Sequence, residues 1–185
     1  VGSTYASTSD AVIPTATTGA EAKFTVEMWV KNLDQSQTGI LISQGSDDHT
    51  FYLKTTNQGI QIHIRDDVGE RASGVVAQEH QWHHLALTVD PSDTTSGAKF
   101  FFDGVLVTSF SGFRESFDPA PDSKGLFIGA LSRNGSENPN ALVDQVKVWG
   151  DVLSANQITE SMHTWSDSGV SGSPSLLAHY DFNDD

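Results

Sequence analysis

The sequence contains no cysteine and few basic residues. Without cysteine the chain can form neither disulfide bonds nor zinc–thiolate sites, and it offers no thiol nucleophile. Ten Lys and Arg stand against 24 Asp and Glu, which gives a formal net charge of −14. Such a surface repels nucleic-acid phosphates and anionic lipids, so we expect no nucleic-acid partner. Calcium, or a neutral ligand such as a glycan, is compatible with this charge.

The chain also lacks a hydrophobic run long enough to cross a bilayer, and no basic-plus-apolar signal segment opens it. We therefore expect no direct membrane insertion. The 185 residues suffice for one large domain with a sizeable core, and no loop has the composition of a domain linker. We predict a single domain over residues 1–185. The abrupt ends "VGSTY" and "NDD" suggest a module of a longer polypeptide.

Short segments of alternating polarity, separated by turn residues, fill most of the sequence and predict β-strands. In "KFTVEMWVKN" (23–32), the apolar residues from Phe24 to Val30 occupy every second position. "TFYLKTT" and "GIQIHIR" flank Asn57-Gln58 and predict a hairpin. "AKFFFDGVLVTS" predicts another, because Asp103-Gly104 is a residue pair that favours a tight type I′ turn.

One convincing helix interrupts this pattern. In "SANQITESM", Gln157 follows Ser154 by three residues, which is the spacing of a capping box. The segments together predict an all-β fold, a two-sheet antiparallel β-sandwich with one short helix.

Several phrases, in this order, resemble the concanavalin A-like jelly roll, in particular its laminin-G-like and pentraxin-like branch. They are "FTVEMWVK", "QWHHLALTVD", "KFFFDGVLV", "GLFIGA" and "ALVDQVKVWGDVLSANQI", and the resemblance extends from about Tyr5 to Phe182. It implies a jelly-roll β-sandwich with a ligand rim built from loops at one edge. It also implies a binding module of an extracellular protein, and many such modules bind calcium.

The segment "SQGSDDHTFYL" (43–53) concentrates negative charge at the entrance of a strand. By themselves, Asp47 and Asp48 could start a turn or form one wall of a cation site. The resemblance implies the cation site, because laminin-G-like relatives place an acidic calcium ligand directly before this strand. Calcium takes roughly six to eight oxygen ligands, and the loop 131–140 is the natural supplier of the rest. The predicted metal ligands are Asp47, Asp48, Asn134, Glu137 and Asn138.

Two alternatives accompany this calcium site. Asx-turn chemistry in two surface loops would explain the same residues without a metal. Arg133 stands where pentraxins have an acidic run, so a two-calcium pentraxin-type site is not expected. The resemblance also implies that the first and last strands pair, which would bring Asp10 near Asp181; a solvated acidic tail is the alternative.

The predicted ligand-binding residues are His49 and Asn140 at the rim, and His63 and Arg65 on the polar side of a strand. Tyr52 and Trp29 share that polar orientation, where an aromatic ring can stack on a sugar. For Trp29, however, filling the core is the preferred interpretation.

The remaining tryptophans, Trp82, Trp149 and Trp165, are assigned to packing. His83 and His84 are adjacent on a strand and point to opposite faces, so they cannot chelate one ion together and are assigned a structural role.

No catalytic residues are predicted. Glycoside hydrolysis needs two carboxylates across a cleft, and Glu27 stands alone on its strand. Gln61-Ile62-His63 resembles an element of jelly-roll alginate lyases, but the companion Arg-containing and Tyr-Lys-rich strands of those enzymes are missing.

We therefore expect a non-catalytic module of a secreted or cell-surface protein, such as a bacterial adhesin. Its expected function is calcium-dependent recognition of a glycan or glycoconjugate, or adhesion through a cell-surface or matrix protein. The alternatives are an architectural or protein-binding spacer, and a polysaccharide lyase or hydrolase with an unfamiliar constellation.

Overall fold

The computed structural model describes residues 5–13, 23–31, 38–45, 51–64, 70–76, 80–111, 125–131, 139–164, 170–172 and 174–182. Their secondary structure, in chain order, is β1 (Ala6–Ser7), β2 (Phe24–Lys31), β3 (Gly39–Gln44), β4 (Phe51–Thr56), β5 (Gly59–Ile64), β6 (Glu70–Ala72), β7 (His83–Val89), β8 (Ala98–Phe102), β9 (Val105–Phe110), β10 (Leu126–Ile128), β11 (Leu142–Trp149), α1 (Ala155–Ser161) and β12 (Leu176–Tyr180).

The strands form two antiparallel sheets. The first sheet has the order β1-β10-β3-β4-β5-β6, and the second sheet has the order β12-β11-β2-β7-β8-β9. Alternation along β2 places Phe24, Val26, Met28 and Val30 between the sheets, where all four are fully buried. The ring of Phe24 meets that of Phe51 from the first sheet at a centroid distance of 5.4 Å. The predicted two-sheet antiparallel β-sandwich is confirmed.

Both predicted hairpins are present. β4 pairs with β5 across Asn57-Gln58, and β8 pairs with β9 across Asp103-Gly104. The φ angles of Asp103 and Gly104 are +49° and +77°, as a type I′ turn requires at both central positions.

The helix α1 covers part of the outer face of the second sheet. Ser154 is its N-cap, and the capping box with Gln157 is formed as predicted. Beneath the helix lies a second apolar cluster that contains Ala86, Phe101, Trp149, Leu153, Ile158 and Val170. Because of this third layer, side chains on the outer face of β2 are removed from solvent, although their alternation predicts exposure.

The first and last described strands belong to different sheets. β1 pairs with β10, and β12 pairs with β11. The predicted pairing of the two terminal strands is therefore wrong, and Asp10 and Asp181 lie exposed at the ends of separate sheets. Within the described ranges, no helix has the length and apolar character needed to span a bilayer.

Candidate functional site: a tryptophan pocket on the second sheet

A pocket of about 430 Å³ opens on the outer face of the second sheet, beside the C-terminal end of α1. Its volume lies in the range of small-molecule sites. We call it the tryptophan pocket; its described lining consists of Trp29, Trp82, Asp144, Gln145, Lys147, Met162, His163 and Thr164.

A β-bulge in β11 builds the polar wall of the tryptophan pocket. Asp144 is paired with Trp29 of β2, but Lys147, three residues later, is paired with Glu27, so one extra residue is inserted between them. Val146 remains in the main core. The bulge thereby brings Asp144, Gln145 and Lys147 to one face, which strict alternation would forbid.

Gln145 occupies a strained position in this bulge. Its φ is +49°, a left-handed conformation that is uncommon for a residue other than glycine. The side chain is 7% exposed. Its Oε1 lies 2.7 Å from Nε2 of His179, and its Nε2 has no hydrogen-bond partner among the described residues. An unsatisfied buried amide costs about 1–3 kcal/mol, and Gln145 belongs to the lining of the pocket.

Two tryptophans form the apolar walls of the pocket. Trp82, directly before β7, is 42% exposed. Trp29 is half-buried, and its ring meets that of His84 edge-on at a centroid distance of 5.4 Å. The assignments of Trp29 to the core and of Trp82 to packing are therefore wrong. The packing role of Trp149 is confirmed, since it is fully buried in the cluster beneath α1.

A buried network of charged and polar groups lies directly behind the pocket. Glu27 is 1% exposed. Its Oε1 accepts hydrogen bonds from Trp149 Nε1, at 3.0 Å, and from the Ser161 hydroxyl. Its Oε2 lies 3.4 Å from Nε2 of His84, and Lys147 Nζ lies 3.8 Å from Oε1. We call these five residues the buried network.

The network holds Glu27 ionised in spite of its burial. Burial by itself raises the pKa of Glu27, but the hydrogen bond and charge of His84, the Ser161 hydroxyl and the Lys147 charge together bring it below 4.5. Burial also lowers the pKa of Lys147 below 10.5, an effect that the Glu27 charge opposes. In the sequence, Glu27 is the only carboxylate on its strand. Its hydrogen-bond and ion-pair partners come from β7, β11 and α1.

The two adjacent histidines of β7 engage different carboxylates. His83 Nδ1 lies 2.9 Å from Asp103 Oδ2, whereas His84 faces Glu27. Their predicted structural role is confirmed. In the described part of the chain, no cluster of three or more His, Asp and Glu side chains is arranged to hold a metal ion.

The outer face of the first sheet carries a different group of side chains. The rings of Tyr52 and His63 stack at a centroid distance of 4.4 Å and an interplanar angle of 7°. Glu70 accepts hydrogen bonds from the Tyr52 hydroxyl, at 2.8 Å, and from Lys54 Nζ. We call these four residues the tyrosine cluster. It includes His63, one of the predicted ligand-binding residues, and it faces away from Trp29.

Most residues of the predicted calcium rim lie outside the described residues. These are Asp47, Asp48, His49, Asn134, Glu137 and Asn138. Arg65, a predicted ligand-binding residue on the polar side of a strand, lies outside the described residues as well.

Described residues that flank the two rim segments lie at opposite ends of β3. The segment 46–50 joins Gly45, next to the end of β3, to Phe51, which pairs with Gln44. Asn140 is exposed and follows Pro139, whose backbone crowds against Gly39 at the other end of β3. The structure thus does not bring Asn140 to the flanks of the segment that contains His49.

Comparison with known proteins places this architecture in a family. The family model of the laminin G type, described as concanavalin A-like lectin/glucanases superfamily, matches residues 2–159. The chain belongs to this superfamily. The resemblance found in the sequence motifs is therefore confirmed. No curated protein sequence matches the chain.

Solved structures share the fold at low sequence identity. A protein from Bacteroides ovatus described as carbohydrate-binding gives a TM-score of 0.68 at 17% identity, over 86% of this chain and 45% of that one. Domain 4 of an extracellular arabinanase from Geobacillus stearothermophilus, in complex with arabinotriose, gives 0.60 at 16% identity, over 85% and 87%. A heptameric pentraxin from Limulus polyphemus gives 0.59 at 13% identity, over 86% and 80%. This chain thus spans less than half of the Bacteroides ovatus protein.

Proposed function

We propose that this chain is a non-catalytic carbohydrate-binding module and that the tryptophan pocket is its glycan site. The proposal is supported by the superfamily, by the similar structures described as carbohydrate-binding or bound to arabinotriose, and by the pocket itself. Fold alone does not fix function, so the chemistry of the pocket must carry the assignment.

The main support is the combination of exposed aromatic rings with polar groups that lack a hydrogen-bond partner among the described residues. Trp82 presents an apolar ring that can stack on the C–H face of a sugar. In the same pocket, the Gln145 amide needs an acceptor, and Asp144 supplies a carboxylate acceptor. A sugar hydroxyl both donates and accepts, so it can satisfy both groups. Asp144 is the one carboxylate in the described lining, whereas glycoside hydrolysis needs a pair of carboxylates.

Calorimetric titration with a panel of neutral oligosaccharides tests this proposal. Trp82→Ala should weaken binding about tenfold or more, because it removes the stacking surface. Tyr52→Ala on the first sheet is the matched control and should leave affinity unchanged. Equal losses in both variants, or a loss only with Tyr52→Ala, would move the glycan site away from the tryptophan pocket.

We further propose that calcium binds at the rim formed by Asp47, Asp48 and the segment 134–138, where it would order the loops around His49. Support comes from the acid directly before β4 in the laminin-G-like motif. Calcium titration of the EDTA-treated protein should show saturable binding and a higher melting temperature. Asp48→Ala should remove both effects, and Asp10→Asn is the charge-matched control. A wild-type protein without binding heat or thermal shift would assign the segment 46–50 to a turn.

The same proposal places the module in a secreted or cell-surface protein, with a glycoconjugate or a cell-surface or matrix protein as partner. A spacer function would be favoured instead if calcium raised the melting temperature while no glycan bound at high protein concentration.

A further inference from the structure

The tryptophan pocket contains one basic and one acidic side chain on β11, and their surroundings differ. Lys147 Nζ donates hydrogen bonds to the backbone oxygens of Ser161, at 2.7 Å, and Thr164, at 2.8 Å, and to the Ser161 hydroxyl, at 3.1 Å. An ammonium group has three donors, so all of them are used within the protein. Glu27, 3.8 Å away, compensates the charge. Lys147 therefore offers a ligand neither an unused N–H donor nor an unbalanced positive charge.

Asp144, unlike Lys147, keeps an oxygen that no described residue bonds. Its Oδ1 accepts hydrogen bonds from the backbone N–H groups of Gln145, at 2.7 Å, and Phe182, at 3.3 Å. Its Oδ2 accepts no hydrogen bond from a described residue, and no described Lys or Arg forms an ion pair with Asp144. His163 belongs to the lining, and His179 bonds the Gln145 side chain. Burial and the Lys147 charge lower the pKa of His179 below its ordinary value. Among the carboxylate and ammonium groups of the described lining, the one without an ion-pair partner among the described Lys, Arg, Asp and Glu residues is Asp144.

Asp144 and Gln145 together define the groups that a ligand must present. The buried Gln145 amide calls for a ligand oxygen that accepts a hydrogen bond. The Asp144 carboxylate calls for a ligand group that donates one. A neutral sugar meets both demands with hydroxyl groups. A carboxylated sugar brings a second negative charge against Asp144 in a partly desolvated site, where charge repulsion is stronger than in water.

We propose that the tryptophan pocket selects neutral sugars over carboxylated ones, and that Asp144 is the specificity-determining residue. This inference rests on the proposed function of the same pocket.

The test compares neutral oligosaccharides with the same oligosaccharides oxidised at C6 from hydroxymethyl to carboxylate. Titrations at about pH 8 keep ordinary histidines uncharged. The wild-type protein should bind the neutral form about tenfold or more tightly than the oxidised form, as expected for two like charges in contact. Asp144→Asn retains the Oδ1 acceptor for the backbone of Gln145 and should reduce the preference to about threefold or less. Glu70→Gln removes the same charge from the first sheet and should leave the preference unchanged.

The outcomes separate this inference from the proposed function. Equal binding of both forms, or a preference for the oxidised form, would overturn the selectivity and leave the glycan site in place. A preference that persists in Asp144→Asn, or that Glu70→Gln abolishes equally, would assign the effect to the overall charge of −14 and overturn the role of Asp144. Binding of neither form by the wild-type protein would overturn the proposed function and, with it, this inference.

Discussion

The outer faces of the two sheets carry similar residue types but treat their polar groups in opposite ways. In the tyrosine cluster of the first sheet, Glu70 bonds both Tyr52 and Lys54, and the rings of Tyr52 and His63 cover each other. In the tryptophan pocket of the second sheet, Trp82 is open to solvent and the Gln145 amide has no partner within the described chain. The first face pairs its charged groups Glu70 and Lys54 with each other, whereas the second face leaves the Gln145 amide without a described partner.

The difference arises from a bulge and from the third layer. In β4 and β5 the alternation is regular, so the outward side chains sit side by side and bond one another. In β11 the bulge turns Gln145 outward at φ +49°, and α1 encloses the Glu27 charge behind it. Strain and burial are concentrated on the face that carries the pocket, as is common at functional sites.

Removing the central carboxylate of the buried network should have the largest effect on stability. Glu27→Gln leaves Lys147 buried without its counter-charge, so we expect a loss of about 3–5 kcal/mol in the free energy of unfolding. Denaturant titration measures it. Glu70→Gln is the matched control on the first sheet, where the Glu70 side chain is 39% exposed. Similar losses in both variants would show that the two faces do not differ in this respect.

Gln145→Gly should separate stability from binding. Glycine adopts a positive φ without strain, and it removes the unsatisfied amide. We expect the free energy of unfolding to stay within about 1 kcal/mol of the wild type, or to rise. Affinity for a neutral oligosaccharide should nevertheless fall about tenfold, because the donor is lost. Gln58→Gly, in the turn between β4 and β5, is the control and should leave affinity unchanged. A stability loss as large as that of Glu27→Gln would show that Gln145 is a structural residue.

Lowering the pH should remove the contribution of Glu27 to the free energy of unfolding. Since the pKa of Glu27 in the folded protein is below its ordinary value of 4.5, its stabilising effect is fully present above that pH. It is lost as the pH falls through the lower, folded-state value. The difference in unfolding free energy between wild type and Glu27→Gln should therefore shrink between about pH 5 and about pH 2. A constant difference over this range would contradict an ionised Glu27.

The smallest effect is expected in the tyrosine cluster. Lys54→Met breaks the ion pair with Glu70. Because Glu70 is partly exposed, we expect a change of about 1 kcal/mol or less, which moderate salt should reduce further. Thermal melting at low and high salt measures it. A loss comparable with that of Glu27→Gln would place the stabilising charges of the molecule on the first sheet as well.

The sandwich could be predicted from the sequence, because alternation, turn residues and the capping box are local signals. "KFTVEMWVKN" identified the buried face of β2, Asp103-Gly104 identified a turn, and Ser154 with Gln157 identified the start of α1. The order of the motifs also predicted the superfamily. The calcium rim around Asp48 stays a prediction.

The covering of the outer face of the second sheet could not be predicted from the sequence and depends on long-range packing. Alternation indicates which side of a strand a residue occupies, but it does not indicate whether another element covers that side. For this reason Glu27, which alternation places on the polar face, is buried, and Trp29 and Trp82 line a pocket. The bulge at Gln145 is equally invisible in the sequence, because it depends on the register of β11 against β2. Register and coverage are long-range properties, and they build the candidate glycan site.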